Sequence, residues 1–391
     1  MVEWKAVKVG DVGRIITGKT PKTSNNSYYG GNIPFLTPSD DMSVKYVKDT
    51  KKNLTEEGRK SVKSAILPAN AVCVSCIGSD LGKVVITTEE TVTNQQINSI
   101  IVNENYYDVN YIYYAMLELG KIMKFHSKTS TAVPIVNKSS FSQYDFICPP
   151  LNVQRKIGNI LSSIDLKIEK NEEINNNLEQ QAKAVFTQEF LCLNKVPDDW
   201  KKGNLLDIAD YLNGLAMQKY RPKEGEKGIP VLKIKELRQG ACDTTSDLCS
   251  PNIKPEYIVH DGDVIFSWSG SLLVDFWCGD ISGLNQHLFK VTSSKFDKWF
   301  YYAWTNYHLS KFIAIAGDMA TTMGHIKREE LSKAEVLIPS DLDYLRIGSI
   351  LAPIYDLIIE NRIENRKLAL LRDMLLPKLM SGEIDLSNID L

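Results

Sequence analysis

The chain has 391 residues, of which 43% are apolar and 24% charged, and its formal net charge is −2. This length predicts two or more domains, and the ordinary composition excludes collagenous, disordered and membrane-embedded classes. No uncharged apolar run approaches the roughly 18 residues that cross a bilayer, and the charge is less basic than expected of a protein that grips DNA unaided.

In chain order, the opening segment "EWKAVKVGDV" has no signal-peptide pattern, so a cytoplasmic protein is expected. It returns as "DWKKGNLLDI" from Asp199, with Trp4 over Trp200. At the same offset, Gly18 falls on Gly214 and "IPFL" from Ile33 on "IPVL" from Ile229. "AVCVSCIG" from Ala71 then matches "DVIFSWSG" from Asp263, and "TNQQIN" from Thr93 matches "LNQHLF" from Leu284. The apolar, β-branched bursts "AVCVSCIG", "KVVITT" and "SIIVN" predict strands. "DVNYIYYAMLELGKIMKFH" and its counterpart "DKWFYYAWTNYHLSKFIAIA" repeat apolar residues at helical spacing, which predicts one helix per copy.

Each copy ends in a long polar helix, and the two align without a gap. From Ile157, steps of four and three give Leu161, Ile164, Ile168, Asn171, Asn175, Leu178, Ala182 and Val185. From Ile347 the same steps give Leu351, Ile354, Ile358, Asn361, Asn365, Leu368, Arg372 and Leu375. This is a heptad seam with two asparagines at equivalent core positions of each helix, which read as a register device. Roughly 30 residues at about 1.5 Å each predict a rod near 45 Å. The helices are expected to pair antiparallel with the modules at opposite ends. Replacing Asn175 and Asn365 by Leu is expected to raise thermal stability and loosen the register.

The fold class is therefore α+β: two similar globular α/β domains separated by a two-helix antiparallel coiled coil. The boundaries are 1–150 for the first domain, 151–194 for the central helix, 195–339 for the second domain and 340–391 for the C-terminal helix. Charge is uneven across them, net +3 in 1–150 and −3 in 340–391.

This order, with "IGSDLGK" from Ile77, the entry "PPLNVQRKIGNIL" into the central helix and the terminal "RDMLLPKLMSGEI", resembles the specificity subunit of type I restriction–modification systems. The resemblance covers essentially the whole chain. It implies two target recognition domains, each reading half of a bipartite double-stranded DNA site. It also implies a helix pair that acts as spacer and docks two methyltransferase (modification) subunits, which a restriction subunit then joins. S-adenosylmethionine and ATP are implied on those partners, with no cofactor in this chain. Two half-sites one helical turn apart are separated by roughly 34–36 Å, within the reach of such a rod. A second reading, a non-enzymatic coiled-coil scaffold with two protein-binding modules, is compatible with the near-neutral charge.

No catalytic constellation is evident. "CPPL" from Cys148 has the two prolines of an amino-methyltransferase motif without the amide or aromatic partner the reaction needs. "GSDLGKV" is one residue short of a phosphate loop. The seven cysteines read as reduced thiols, and the C-x-x-C of Cys73 and Cys76 lacks the two further ligands of a zinc site, so it reads as part of a half-buried strand. No metal is expected.

DNA reading needs amides and guanidiniums at base edges and lysines or hydroxyls at phosphates. The candidates in the first module are Lys19, Lys22, Thr37, Ser39, Ser79, Lys83, Asn94, Gln95, Lys128, Thr129 and Lys138. In the second they are Gln218, Lys219, Arg221, Lys233, Lys235, Ser269, Asn285, Gln286, His287, Thr321, His325, Lys327 and Arg328. Because Asn94–Gln95 and Asn285–Gln286 repeat in both copies, they either read DNA or cap a turn of the fold. The divergent stretches 37–63 and 233–254 are the expected seat of specificity.

Overall fold

The computed structural model describes residues 4–47, 49–127, 135–318 and 325–386. These residues fall into two compact units, 1–166 with 369–391, and 167–368. Each unit holds one globular module together with parts of two long helices, Leu151–Phe186 and Asp341–Met380. Among the described residues no helix is long and apolar enough to cross a membrane.

In the first unit, an antiparallel sheet runs in the order Gly13–Thr17, Ile97–Val102, Ala71–Ser75, Val84–Ile86. A second sheet runs Asn53–Leu54, Tyr29–Leu36, Thr91–Thr93, Ile66–Leu67, with Phe35–Leu36 parallel to Val92–Thr93. Lys5–Lys8 pairs with Asp145–Cys148 to bring the module's two ends together. Ala71–Ser75 is buried along its whole length, where the sequence suggested a half-buried strand. The reason is that Val72, Val74 and Cys76 enter the core beside the helix Val109–Ser127, while Ala71 and Cys73 enter a separate core with Leu36 and Val85. A strand covered on both faces needs no polar alternation.

The second unit repeats this topology. Its sheets are Asp210–Asn213, Leu288–Thr292, Val264–Ser267, Leu273–Phe276, and Leu248–Cys249, Ile229–Leu232, Ser282–Leu284, Ile258–Val259. Register is kept as well: Thr17 lies opposite Asn98, and Asn213 opposite Phe289.

The long helices run to 36 and 40 residues, beyond the seam, because the first starts directly after Pro150 and the second two residues after Pro339, close behind the preceding strands. In the second unit the seam is antiparallel and is fixed by four asparagines. Asn171 donates to Asn365 Oδ1 at 2.8 Å, and Asn361 donates to Asn175 Oδ1 at 2.9 Å. The remaining two amides donate to backbone carbonyls, Asn175 to Ile358 at 3.3 Å and Asn365 to Ile168 at 3.2 Å. These four bonds exchange with one another when the helices are exchanged, but the match stops there: Asn171 also donates to Glu364 at 2.7 Å, and its own oxygen is buried without a partner among the described residues. Arginines of the same helix bind module carboxylates: Arg362 meets Asp275 at 2.6 Å, and Arg366 forks onto Asp261 with both bonds at 2.7 Å. In the first unit Arg372 meets Asp165 at 2.9 Å, and Tyr114 donates to the other oxygen of that carboxylate.

The glycines of "IGNIL" and "IGSIL" let a module helix approach the long helix. A Cβ at Gly158 would lie 2.6 Å from Asp108 Oδ1, which already accepts the Tyr111 N–H as the cap of helix Val109–Ser127. At Gly348 the nearest atom is 3.0 Å away, on the Trp299 ring.

The geometry reverses the expected effect of removing Asn175 and Asn365. Their oxygens are the acceptors for Asn361 and Asn171; Asn171 keeps Glu364, but N175L/N365L strips the buried Asn361 amide of its acceptor, at about 1–3 kcal/mol for the orphaned group. In thermal melts this double variant should unfold below wild type, while the variant with all four asparagines changed to Leu should unfold above it. A double variant that melts above wild type would show that the amide pairs do not matter. Gly158→Ala should destabilise despite the roughly 1 kcal/mol helix-propensity gain, because the cap must shift. Gly348→Ala, facing a ring that can yield, should be near neutral in the same melt.

Candidate nucleic-acid interface

In each module the loops at one end of the first sheet converge. Gly18 and Gly214 press on the following turn so closely that a Cβ would stand 2.1 Å from the Asn94 carbonyl oxygen and 2.3 Å from that of Asn285. The asparagines close this turn. Asn94 Oδ1 accepts the Gln96 N–H at 3.1 Å, and Asn285 Oδ1 accepts the His287 N–H at 3.3 Å. Both are buried, so their side chains serve the turn, while the next residues face outward. Gln95 is exposed and accepts from Thr20 at 2.6 Å; Gln286 is half-buried, its amide 3.2 Å from His287 Nε2. The sheet end is completed by two bridges at matching places, Ile77 with Ile135 and Ser269 with His325.

The basic candidates divide into two groups. Lys19, Lys22, Lys138, Lys219, Arg221 and Lys327 are exposed and have no ion pair among the described residues. Others are neutralised locally: Lys83 by Asp80 at 2.7 Å, Lys233 by Asp247 at 2.5 Å and Lys235 by Asp243 at 3.1 Å. Arg328 donates to the Tyr211 carbonyl at 3.2 Å, so it braces the strand end as well as facing solvent. Ser39 is exposed on a turn, Ser79 and Gln218 are exposed on short 3-10 helices, and Ser269 is buried. Tyr29 packs against Phe35 and donates to the Pro21 carbonyl. Lys128, Thr129 and Thr321 lie outside the described residues.

Sequence reasoning missed two features here. The first is a buried carboxylate at the root of each divergent stretch. Asp40 accepts the Thr37 N–H at 2.7 Å and its hydroxyl at 2.8 Å, and also the Lys51 N–H at 2.7 Å. Glu236 accepts the Lys233 N–H at 3.2 Å and the Ser246 hydroxyl at 3.1 Å. The available signal was an acid three residues beyond Thr37 and beyond Lys233, at the offset shared by Gly18 and Gly214. The second feature is Trp268, half-buried beside His287, Phe289 and His325, with ring centroids 5.7–6.2 Å apart.

Among the described residues no group of three or more His, Cys, Asp or Glu is placed to hold a metal. Burial pushes the Cys73 thiol up to about 12 and the Cys76 thiol up to about 11. A raised thiol stays protonated at pH 8 and is a poor nucleophile. Iodoacetamide at that pH should therefore label exposed Cys192 first and leave Cys73 and Cys76 untouched until denaturant is added, as peptide mass spectrometry would show.

Comparison with known proteins agrees with this double architecture. The family described as "Type I restriction modification DNA specificity domain" matches residues 1–180 and again 197–369. The chain is 26% identical over 417 residues to the type I restriction enzyme MjaIX specificity subunit of Methanocaldococcus jannaschii, covering 99% of this chain and 95% of that one. It is 32% identical over 163 residues to the HindI specificity subunit of Haemophilus influenzae, covering 40% and 35%. The crystal structure of a type I restriction–modification S subunit from M. genitalium matches with a TM-score of 0.61 at 13% identity, over 97% of this chain and 96% of that one, and so shares the fold.

Proposed function

The chain belongs to the type I restriction modification DNA specificity family, whose domain it carries twice, and we propose that its two modules divide one bipartite target between them. It is a non-catalytic specificity subunit that recognises DNA, and the scaffold reading is set aside on that family membership. The first target recognition domain is residues 1–150 and the second 195–339. Each presents the sheet end described above to one half-site. The observation that carries this reading is a strand register kept in duplicate while the side chains displayed on it differ. Identical frames with different displays suit two different half-sites.

The spacer is the helix pair built from 151–194 and 340–391, with Asn171, Asn175, Asn361 and Asn365 setting its register. Two methyltransferase subunits dock on it and a restriction subunit joins them. S-adenosylmethionine and ATP reside on those partners, in the cytoplasm. Exposed apolar side chains on the helices, Ile174 and Leu357 in one unit and Leu370 and Met374 in the other, support a protein-docking role. The acidic balance of the C-terminal segment suits protein better than phosphate.

The chain co-purified with its methyltransferase partner should bind one bipartite duplex about 10³-fold more tightly than a scrambled duplex at physiological salt. Scrambling either half alone should give an intermediate loss. Equal affinity for matched and scrambled DNA would refute the reading.

A further inference from the structure

The strand register allows the two sheet ends to be compared position by position. Thr17 and Asn98 face each other across one strand pair, as do Asn213 and Phe289. Ser75 pairs with Ile97 where Ser267 pairs with Leu288, which makes Cys76 the counterpart of Trp268. The two asparagine-closed turns make Gln96 the counterpart of His287. In the first module these four positions form a small polar set. Thr17 donates to Asn98 Oδ1 at 2.6 Å, Asn94 donates to Gln96 Oε1 at 2.9 Å, and Cys76 is buried. In the second module the same positions form an aromatic set. Trp268 donates to Asn213 Oδ1 at 3.1 Å, and its ring lies 6.1 Å from His287 and 5.7 Å from Phe289.

Replacing a buried thiol by an indole puts a large ring at the mouth of the second module. Phe289 beside it is buried, and the His325 ring stands edge-on 6.2 Å away. The indole N–H is already taken by Asn213, so the exposed part of the ring offers apolar surface without a donor. Beside it, His287 Nδ1 is shielded from solvent and has no partner among the described residues. A buried nitrogen with no partner marks a polar position left open within an aromatic wall.

Resting on the reading that each module recognises a half-site, we propose that Trp268 is a specificity-determining residue of the second module, contacting bases of its half-site through the face and edge of the indole. Apolar contact in the major groove discriminates thymine by its methyl group, and no polar group of this ring competes for other base edges. The first module has no such ring and reads its half-site with the hydroxyl and amide groups around Thr17 and Gln96. Specificity thus lies at the sheet ends as well as in the divergent loops.

The test uses the complex of full chain and methyltransferase with a duplex library randomised at both half-sites. Wild type should select two blocks of defined sequence. Trp268→Cys should blur one block and weaken binding of the wild-type sequence about tenfold, leaving the other block intact. Trp268→Phe, which keeps a ring, should retain both blocks. Because a folding defect could imitate loss, the wild-type complex is also cross-linked to duplexes carrying 5-iodouracil at each half-site position in turn. Cross-links to Trp268 should come from one half-site alone. Two intact blocks with Trp268→Cys, blurring of both, or cross-links that avoid Trp268 would overturn the inference. A wild type that selects no block would instead defeat the DNA-target reading on which it rests.

Discussion

A buried amide in an apolar helix seam is tolerable only where another amide or carbonyl meets it, and that constraint governs the helix pair of this protein. The amide N–H groups of four asparagines find one another's oxygens, a backbone carbonyl or, for Asn171, the Glu364 carboxylate in a single antiparallel register. Sliding one helix by a heptad would place amides against leucine and isoleucine. The apolar part of the seam alone would tolerate that slip, since one aliphatic layer resembles the next. On the proposed reading the asparagines trade stability for uniqueness of register. The arginines that bind module carboxylates depend on it, because Arg362 bridges Asp275 of the module and Glu179 of the opposite helix at once.

The duplication separates what the backbone demands from what the surface displays. Where the chain must turn tightly the copies agree, as Gly18 does with Gly214 and Asn94 with Asn285, because a Cβ or a lost turn bond would not be tolerated. Where only a hydrogen bond of given geometry is needed, the copies solve it differently. The N–H of Asp108 is received by the Gln154 side chain, while the N–H of Asp297 is received by the Tyr344 hydroxyl. At the sheet ends even chemical character changes.

The same distinction explains what could be read in the sequence. The heptad seam and the strands were legible because periodicity and β-branched runs are local signals, and the duplication made each visible twice. Burial of Ala71–Ser75 on both faces was not, since a short apolar run does not say how many layers cover it. The role of Asp40 escaped notice because it gathers donors from Thr37 and from Lys51, eleven residues on, and only the folded loop brings these together. The partners of Asn175 and Asn365 could not be read because they depend on an interhelical register. Trp268 went unremarked for a related reason: its significance lies in standing where Cys76 stands, an equivalence that strand pairing reveals.

The near-neutral charge is a matter of composition, and the fold adds to it by placing carboxylates beside some of the candidate lysines. Lys83, Lys233 and Lys235 each carry a carboxylate close by, in pairs open to solvent. Such pairs are weak because water and salt screen them, so a phosphate can take the place of the carboxylate at little cost. The net attraction to any DNA is then reduced, since a phosphate contact by one of these three lysines must displace an internal one. Non-specific binding falls more than specific binding does, because contacts to base edges and rings are not screened in this way. On the proposed reading a specificity subunit gains from that balance, with discrimination at the sheet ends and part of the grip on the backbone left to its partners.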